Sequence, residues 1–150
     1  GLIDLNISAE GDVEVGWHHL IEDTGIVLGR GLRKAVGDAM GITRMAHSII
    51  PLDESLSLVA VDFGGRGYSV IDARLTDSDL GEMTGYLIHH FLETLAREGN
   101  FNIHVRTLTG ANNHHKAEAI FKALAKSMRA ALTLDTRISG TTPSTKGTIG

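Results

Sequence analysis

At 150 residues and 16.0 kDa the chain has the length of one domain with a sizeable core, and 42% hydrophobic with 21% charged residues is an ordinary globular balance. A net charge of −4 and a pI near 6.0 argue against nucleic acid as a bulk partner, which usually needs a basic face, and no apolar run reaches the ~18 residues of a membrane span. Cysteine is absent, so disulfides play no part, metal ligands must be nitrogen or oxygen, and a reducing cytoplasm is the expected setting.

Leu2 to Ala9 alternates apolar and polar residues, and Glu10-Gly11-Asp12 turns into Val13-Glu14-Val15, the pattern of a hairpin. From His18 the period becomes helical: Ile21, Leu28, Leu32 and Val36 share a face, with Gly25 at the missing step and Gly37 closing the element. Strands are expected over 44–50, 55–63 and 68–75, separated by Pro51-Leu52-Asp53-Glu54 and Gly64-Gly65-Arg66-Gly67. A second helix is expected over 81–98, with Leu87, Phe91, Leu92 and Leu95 on one face, and a further strand over 101–108. Asn112-Asn113 are good N-cap residues for a third helix reaching about Leu134, and residues 135–150 show no periodicity.

A constant offset runs through this order. Adding 96 to 18, 19 and 22 gives 114, 115 and 118, so His18-His19-x-x-Glu22 falls on His114-His115-x-x-Glu118. The same shift carries Leu5-Asn6-Ile7 onto Phe101-Asn102-Ile103, Leu28 onto Leu124, Leu32 onto Met128 and Arg33 onto Arg129. A strand, a histidine motif and a helix core thus recur together, the mark of a duplicated fold with pseudo-repeats at about 1–40 and 81–135 inside one domain. Because a helix precedes the strand in the second copy, the repeat leads to the expectation that an equivalent helix precedes Leu2 and that the N-terminal segment is truncated.

Six of the eight histidines stand in adjacent pairs, at 18–19, 89–90 and 114–115. On a helix, positions i, i+3 and i+4 share a face, so either histidine of a pair can join the following glutamate on one ion while its neighbour points about 100° away. Nitrogen with carboxylate suits Mn, Fe, Co, Ni or Zn and fits Mg or Ca poorly. A lone His-His pair is more often a surface feature, but packing does not require two copies at matched positions. His89 and His90 taken alone read as structural, although His90 can complete a site; His47 and His104 read as structural or as supports for ligands. Arg44, Arg66, Lys122, Ser144 and Lys146 are candidate anion binders, each with the alternative reading of solvated charge or frayed end. Arg66 sits in a glycine turn, Lys122 one turn beyond Glu118, and Ser144 and Lys146 in a mobile-looking tail.

In order along the chain stand His18-His19-x-x-Glu22-Asp23-x-Gly25-Ile26, Pro51-x-Asp53-Glu54-x-Leu56, Gly65-Arg66-x-Tyr68, His114-His115-x-x-Glu118-Ala119-x-Phe121-Lys122-Ala123 and Pro143-Ser144-Thr145-Lys146-Gly147. Over its whole length the chain resembles the imidazoleglycerol-phosphate dehydratases of histidine biosynthesis. The resemblance implies an α+β fold of two similar halves, helices packed between two four-stranded sheets (ribosomal protein S5 domain 2-like), with about forty more residues at the N-terminus. It implies a 24-subunit homo-oligomer built from trimers, with metal sites between subunits. His18, His19, Glu22, His90, His114, His115 and Glu118 are then ligands to two Mn2+ per subunit. Arg44, Arg66, Lys122, Ser144 and Lys146 match contacts to a small phosphate substrate. Glu22, Glu118 and Asp53 are the catalytic candidates within this sequence; a further glutamate used as base belongs to the segment before Leu2. The implied reaction dehydrates imidazoleglycerol phosphate to imidazole acetol phosphate, the metals stabilising the imidazolate that expels a hydroxyl.

Gly16, Trp17 and Leu20 flank the first histidine pair where relatives carry acids and a threonine. Met45-Ala46 and Gly67 also depart from the pattern, which leaves the ligands intact but alters their surroundings. A metal-dependent hydrolase and a metal-assembled shell without activity remain as alternatives. A four-helix di-iron protein is disfavoured because strands separate the helices.

Overall fold

Three amphipathic helices and four strands account for the regular structure of the computed structural model, which describes residues 1–77 and 80–149. The strands β1 (Met45–Leu52), β2 (Ser55–Asp62), β3 (Tyr68–Asp72) and β4 (Asn102–Thr109) form one mixed sheet in the order β1-β2-β4-β3, with β3 and β4 parallel and the other pairs antiparallel. Pro51 lies in the edge strand β1, where a missing N–H costs least. Strand alternation puts Val59, Val61, Ile103 and Val105 on the inner face, while His47, Ala60, His104 and Val70 form one row across the outer face. His47 and His104 are therefore exposed on the outer face of the sheet.

Helices α2 (Gly85–Gly99) and α3 (Asn113–Ala131) cover the inner face: α2 lies on β3 and β4, and α3 chiefly on β1 and β2. Phe101, Leu92, Ile103 and Ile120 are fully buried between them. Thr84 caps α2 by accepting from Leu87 N at 3.2 Å, so this helix starts four residues later than its periodicity suggested, after Gly81 at φ +67°. Asn112 caps α3 the same way through His115 N at 3.1 Å. That helix stops at Ala131, short of the expected 134, because Leu134 leaves to bridge Ile42.

Helix α1 (His18–Val36) packs against α2 rather than against the sheet. Its buried positions include Gly25 and Gly29, and a Cβ at Gly29 would stand 2.8 Å from Glu98 Cβ and 2.9 Å from both Gly99 N and Leu95 O. Glycine is thus what brings the two backbones together, and with them the histidines at their N-terminal ends.

The hairpin expected over residues 2–15 is not formed. Residues 1–12 run without regular structure, Val13–Val15 form a single 3-10 turn, and Leu2, Leu5 and Ile7 are exposed. Alternation gives a strand its two faces, but a ladder needs a partner strand, and among the described residues none lies beside this segment. The second four-stranded sheet implied by the family resemblance is accordingly not formed by the described residues, although the α+β class stands. The strand expected over 68–75 ends at Asp72, and the tail holds one 3-10 turn at Thr136–Ile138; residue 150 lies outside the described residues.

Candidate metal centre

His18 opens α1, and Glu22 stands one turn later on the same face. His90, in the first half of α2, meets them where the two helices are closest. His18 Nε2 lies 3.5 Å from Glu22 Oε2, and His90 Nε2 lies 3.5 Å from Glu22 Oε1. One donor atom from each of the three residues falls within 4.8 Å of the other two. The imidazoles of His18 and His90 stack with centroids 4.7 Å apart, and the ring of Tyr86, one turn before His90, stacks on both at 6.0 and 5.9 Å.

The chemistry of this group fits a cation. Among the described residues the buried His90 Nε2 makes no hydrogen bond, only the 3.5 Å approach to Glu22, a state that costs stability unless something else satisfies the nitrogen. Two ligands each about 2.1 Å from one tetrahedral ion lie roughly 3.4 Å apart, close to both observed spacings. The donor set is two imidazoles and a carboxylate, which transition ions favour over Mg2+ or Ca2+.

The second motif stands at the start of α3. His114 Nε2 lies 3.3 Å from Glu118 Oε2, repeating the His18–Glu22 spacing, and Lys122 Nζ reaches Glu118 Oε1 at 2.7 Å. That lysine holds the Glu118 carboxyl below its ordinary value, with lesser help from the two histidines. Lys122 is therefore engaged within α3 and does not line the cleft that holds the other candidate anion binders. His115 turns from its neighbour toward the β1–β2 turn: its Nδ1 is 2.8 Å from Glu54 Oε2, and its Nε2 is 3.7 Å from Asp53 Oδ2. His19 lines a cavity of about 340 Å3 walled by residues 6–12 and α1, and its ring meets that of His18 edge-on with centroids 5.7 Å apart. The structure thus gathers His18, Glu22 and His90 into one group, and leaves His114 with Glu118, His115 with Glu54, and His19 edge-on to His18 without a carboxylate among the described residues.

Glu54 is the residue that sequence reasoning underrated. Its carboxylate also accepts from Asn112 N at 2.8 Å and Ala111 N at 3.2 Å, at the N-terminus of α3. The bond from His115, followed by these backbone bonds, holds Glu54 at a pKa of about 2, and Glu54 in turn raises His115 above its usual value. Glu54 therefore contributes stability above pH 4.5 that is lost as the pH falls toward 2. The His115 contribution is complete below pH 6.5 and is lost as the pH rises through its raised pKa. The metal-free protein is expected to exceed Glu54→Ala in melting temperature most between about pH 4.5 and 6.5, with the gap shrinking on both sides. A gap independent of pH across that range would show that the pair does not couple.

Arg44, Arg66, Ser144 and Lys146 converge on a cleft of about 610 Å3 between the start of β1, the 64–67 turn and the tail. Arg44 forms a bidentate pair with Asp62 at 2.7 and 3.1 Å and donates to Pro143 O at 2.8 Å, so it fastens the tail to the sheet. Its guanidinium pKa is raised chiefly by the Asp62 bond. Arg66 and Lys146 form no ion pair among the described residues and face open space.

A family model described as imidazoleglycerol-phosphate dehydratase matches residues 1–128. The imidazoleglycerol-phosphate dehydratase of Dehalococcoides mccartyi (strain ATCC BAA-2266 / KCTC 15142 / 195) is 50% identical over 147 residues, 98% of this chain and 74% of that protein. That of Chloroflexus aurantiacus is 46% identical over 149 residues, 99% of this chain and 73% of the relative. The crystal structure of the Staphylococcus aureus enzyme superposes with a TM-score of 0.75 at 35% identity, covering 79% of this chain and 69% of that one. The Pyrococcus furiosus enzyme, solved in complex with (S)-C348, gives 0.75 at 38% identity over 87% and 70%. Fold, histidine–glutamate cluster and relatives together define the class, a carbon–oxygen lyase of the hydro-lyase kind. The chain belongs to the imidazoleglycerol-phosphate dehydratase family.

Proposed function

We propose that this chain dehydrates imidazoleglycerol phosphate to imidazole acetol phosphate in histidine biosynthesis, using two Mn2+ held by its histidine pairs. The observation that carries the metal reading is the buried His90 Nε2, without a hydrogen bond among the described residues, facing Glu22 beside His18. His18, Glu22 and His90 would hold one ion, with His114, His115 and Glu118 offering donors for the other and His19 a further donor beside His18. Bound there, manganese supplies Lewis acidity to the substrate's imidazole ring.

The chain's own groups do the rest. Arg66 and Lys146 present free positive charge and Ser144 a hydroxyl to the phosphate, while the Arg44–Asp62–Pro143 contacts hold the tail in reach. The exposed Asp53 carboxylate beside His115 Nε2 is a candidate to take up the proton that leaves carbon. Glu22 and Glu118, each one turn after a histidine, are the further carboxylate candidates, and Lys122 lowers the Glu118 carboxyl below its ordinary value. Two 19-residue helices that each begin at a His-His-x-x-Glu motif support the reading of two pseudo-repeats at about 1–40 and 81–135. The second motif gathers fewer donors than the first among the described residues and is largely exposed, which fits completion by another copy, as in the 24-subunit, trimer-based assembly that the family resemblance implies.

Lys146→Ala and Arg66→Ala are each expected to weaken substrate binding by about 1.5–3 kcal/mol at constant metal content, measured by titration with a substrate analogue. The function itself is tested by following imidazoleglycerol phosphate with Mn2+ and after chelation, with particle mass recorded by light scattering. Metal-dependent turnover with large particles is the expected result. Metal-dependent assembly without turnover would favour the structural shell, and turnover unaffected by complete chelation would overturn the metal reading.

A further inference from the structure

Asp53 and Glu54 are the whole of the loop between β1 and β2, and Asp53 adopts φ +48° to close it. This tight turn places the Glu54 carboxylate at the foot of α3, where its two oxygens have separate duties. Oε1 accepts from Asn112 N at 2.8 Å, Ala111 N at 3.2 Å and Ser55 Oγ at 3.2 Å. Oε2 lies 2.8 Å from His115 Nδ1. A carboxylate is an acceptor at both oxygens, so the proton of a neutral His115 ring must sit on Nδ1, and Nε2 is left with a free lone pair directed outward beside Asp53.

We propose that Glu54 is a positioning residue, which fixes His115 in the Nδ1–H tautomer and so prepares Nε2, and not Nδ1, to ligate a metal ion. The inference rests on His115 being a ligand, as read above. A carboxylate behind a ligating histidine fixes the ring's orientation and makes the coordinating nitrogen more basic. Two further observations support a dedicated role. The anchor is built from main chain and from the turn's own hydroxyl, so the carboxylate cannot swing to ligate in place of the ring. His19, the counterpart of His115 under the 96-residue shift, has no such carboxylate among the described residues, so the two motifs are not equivalent: one histidine is set in advance and the other is not.

Glu54→Gln makes a sharp test because it preserves shape and reverses one bond. Three donors hold the Oε1 side, so the amide keeps its oxygen there and turns its NH2 toward His115. The ring must then accept at Nδ1 and carry its proton on Nε2, which blocks coordination. The full chain, metal-free and at a pH well above the imidazole range, is examined by nitrogen-15 spectroscopy of the histidine rings, and Mn2+ alone is titrated into wild type, Glu54→Gln and His115→Ala. The expected results are the Nδ1–H tautomer of His115 in wild type, the Nε2–H tautomer in Glu54→Gln, and Mn2+ binding about 10–100-fold weaker in that variant. An Nε2–H tautomer in wild type overturns the proposal without reference to any variant. Normal Mn2+ affinity in Glu54→Gln with weak binding in His115→Ala overturns the positioning role and leaves the metal reading intact. Normal affinity in His115→Ala removes the ligand assignment, and the proposal with it.

Discussion

His90→Phe is expected to weaken metal binding at the His18–Glu22 site by at least ~100-fold, while leaving the metal-free protein no less stable than wild type. The phenyl ring keeps the stacking on His18 and Tyr86 and deletes a buried nitrogen that has no hydrogen-bond partner. In the absence of metal that nitrogen is an unfavourable element, so its removal relieves a desolvation cost. In its presence the same atom is one of three donors, and two cannot hold an ion comparably. Elemental analysis after dialysis, paired with urea unfolding of the metal-free proteins, separates the two effects. Retained stoichiometric metal in His90→Phe would sink the assignment of this cluster, and a large loss of metal-free stability would show the ring to be structural.

Two glycines of α1 should respond to alanine with opposite signs. Gly29→Ala is expected to destabilise the fold by about 3 kcal/mol, at the upper end of overpacking effects, because the new methyl meets the main chain of α2 at Gly99 N and Leu95 O and the rigid stem of Glu98. None of these can retreat unless the helices separate, which would also pull His18 from His90. Gly31→Ala, two residues away with nothing within 4 Å, should stabilise by about 0.5–1 kcal/mol through helix propensity alone. Urea midpoints of the two single variants decide the matter; equal shifts of the same sign would mean that the α1–α2 approach is not held by Gly29.

Much of this was legible in sequence because it is local. The pairs His18/Glu22 and His114/Glu118 follow from helical spacing alone, and the close of α1 and the start of α3 from Gly37 and Asn112. The family resemblance likewise brought Arg66, Ser144 and Lys146 together, and one cleft holds them. What escaped depends on which distant segments meet. Leu2–Ala9 alternates as β4 does, yet alternation does not name a partner strand. Arg44 reads as a free cation until the β1–β2 register sets it against Asp62. Tyr86 is unremarkable in sequence, and it matters only because α1 lays His18 against it. Glu54 is two turns of chain logic away from His115: it needs a two-residue hairpin and the start of a helix 58 positions later, Asn112, to be brought to one point.

The attachment of α1 chiefly to α2 also has a thermodynamic reading. A helix bound mainly through one partner helix can detach as a subglobal unit while the sheet, α2 and α3 stay folded, and its amides should then exchange with solvent sooner than theirs. His18 and Glu22 lie on the unit that leaves and His90 on the part that remains, so detachment divides the ligand set. An ion bound to all three acts as a ligand specific for the closed form, and at 100 times its dissociation constant it deepens the closed state by about 2.7 kcal/mol. Amide protection along residues 18–36 should then rise with free Mn2+ while protection in β2 and β4 barely changes, and equal changes in both would mean that α1 does not open separately.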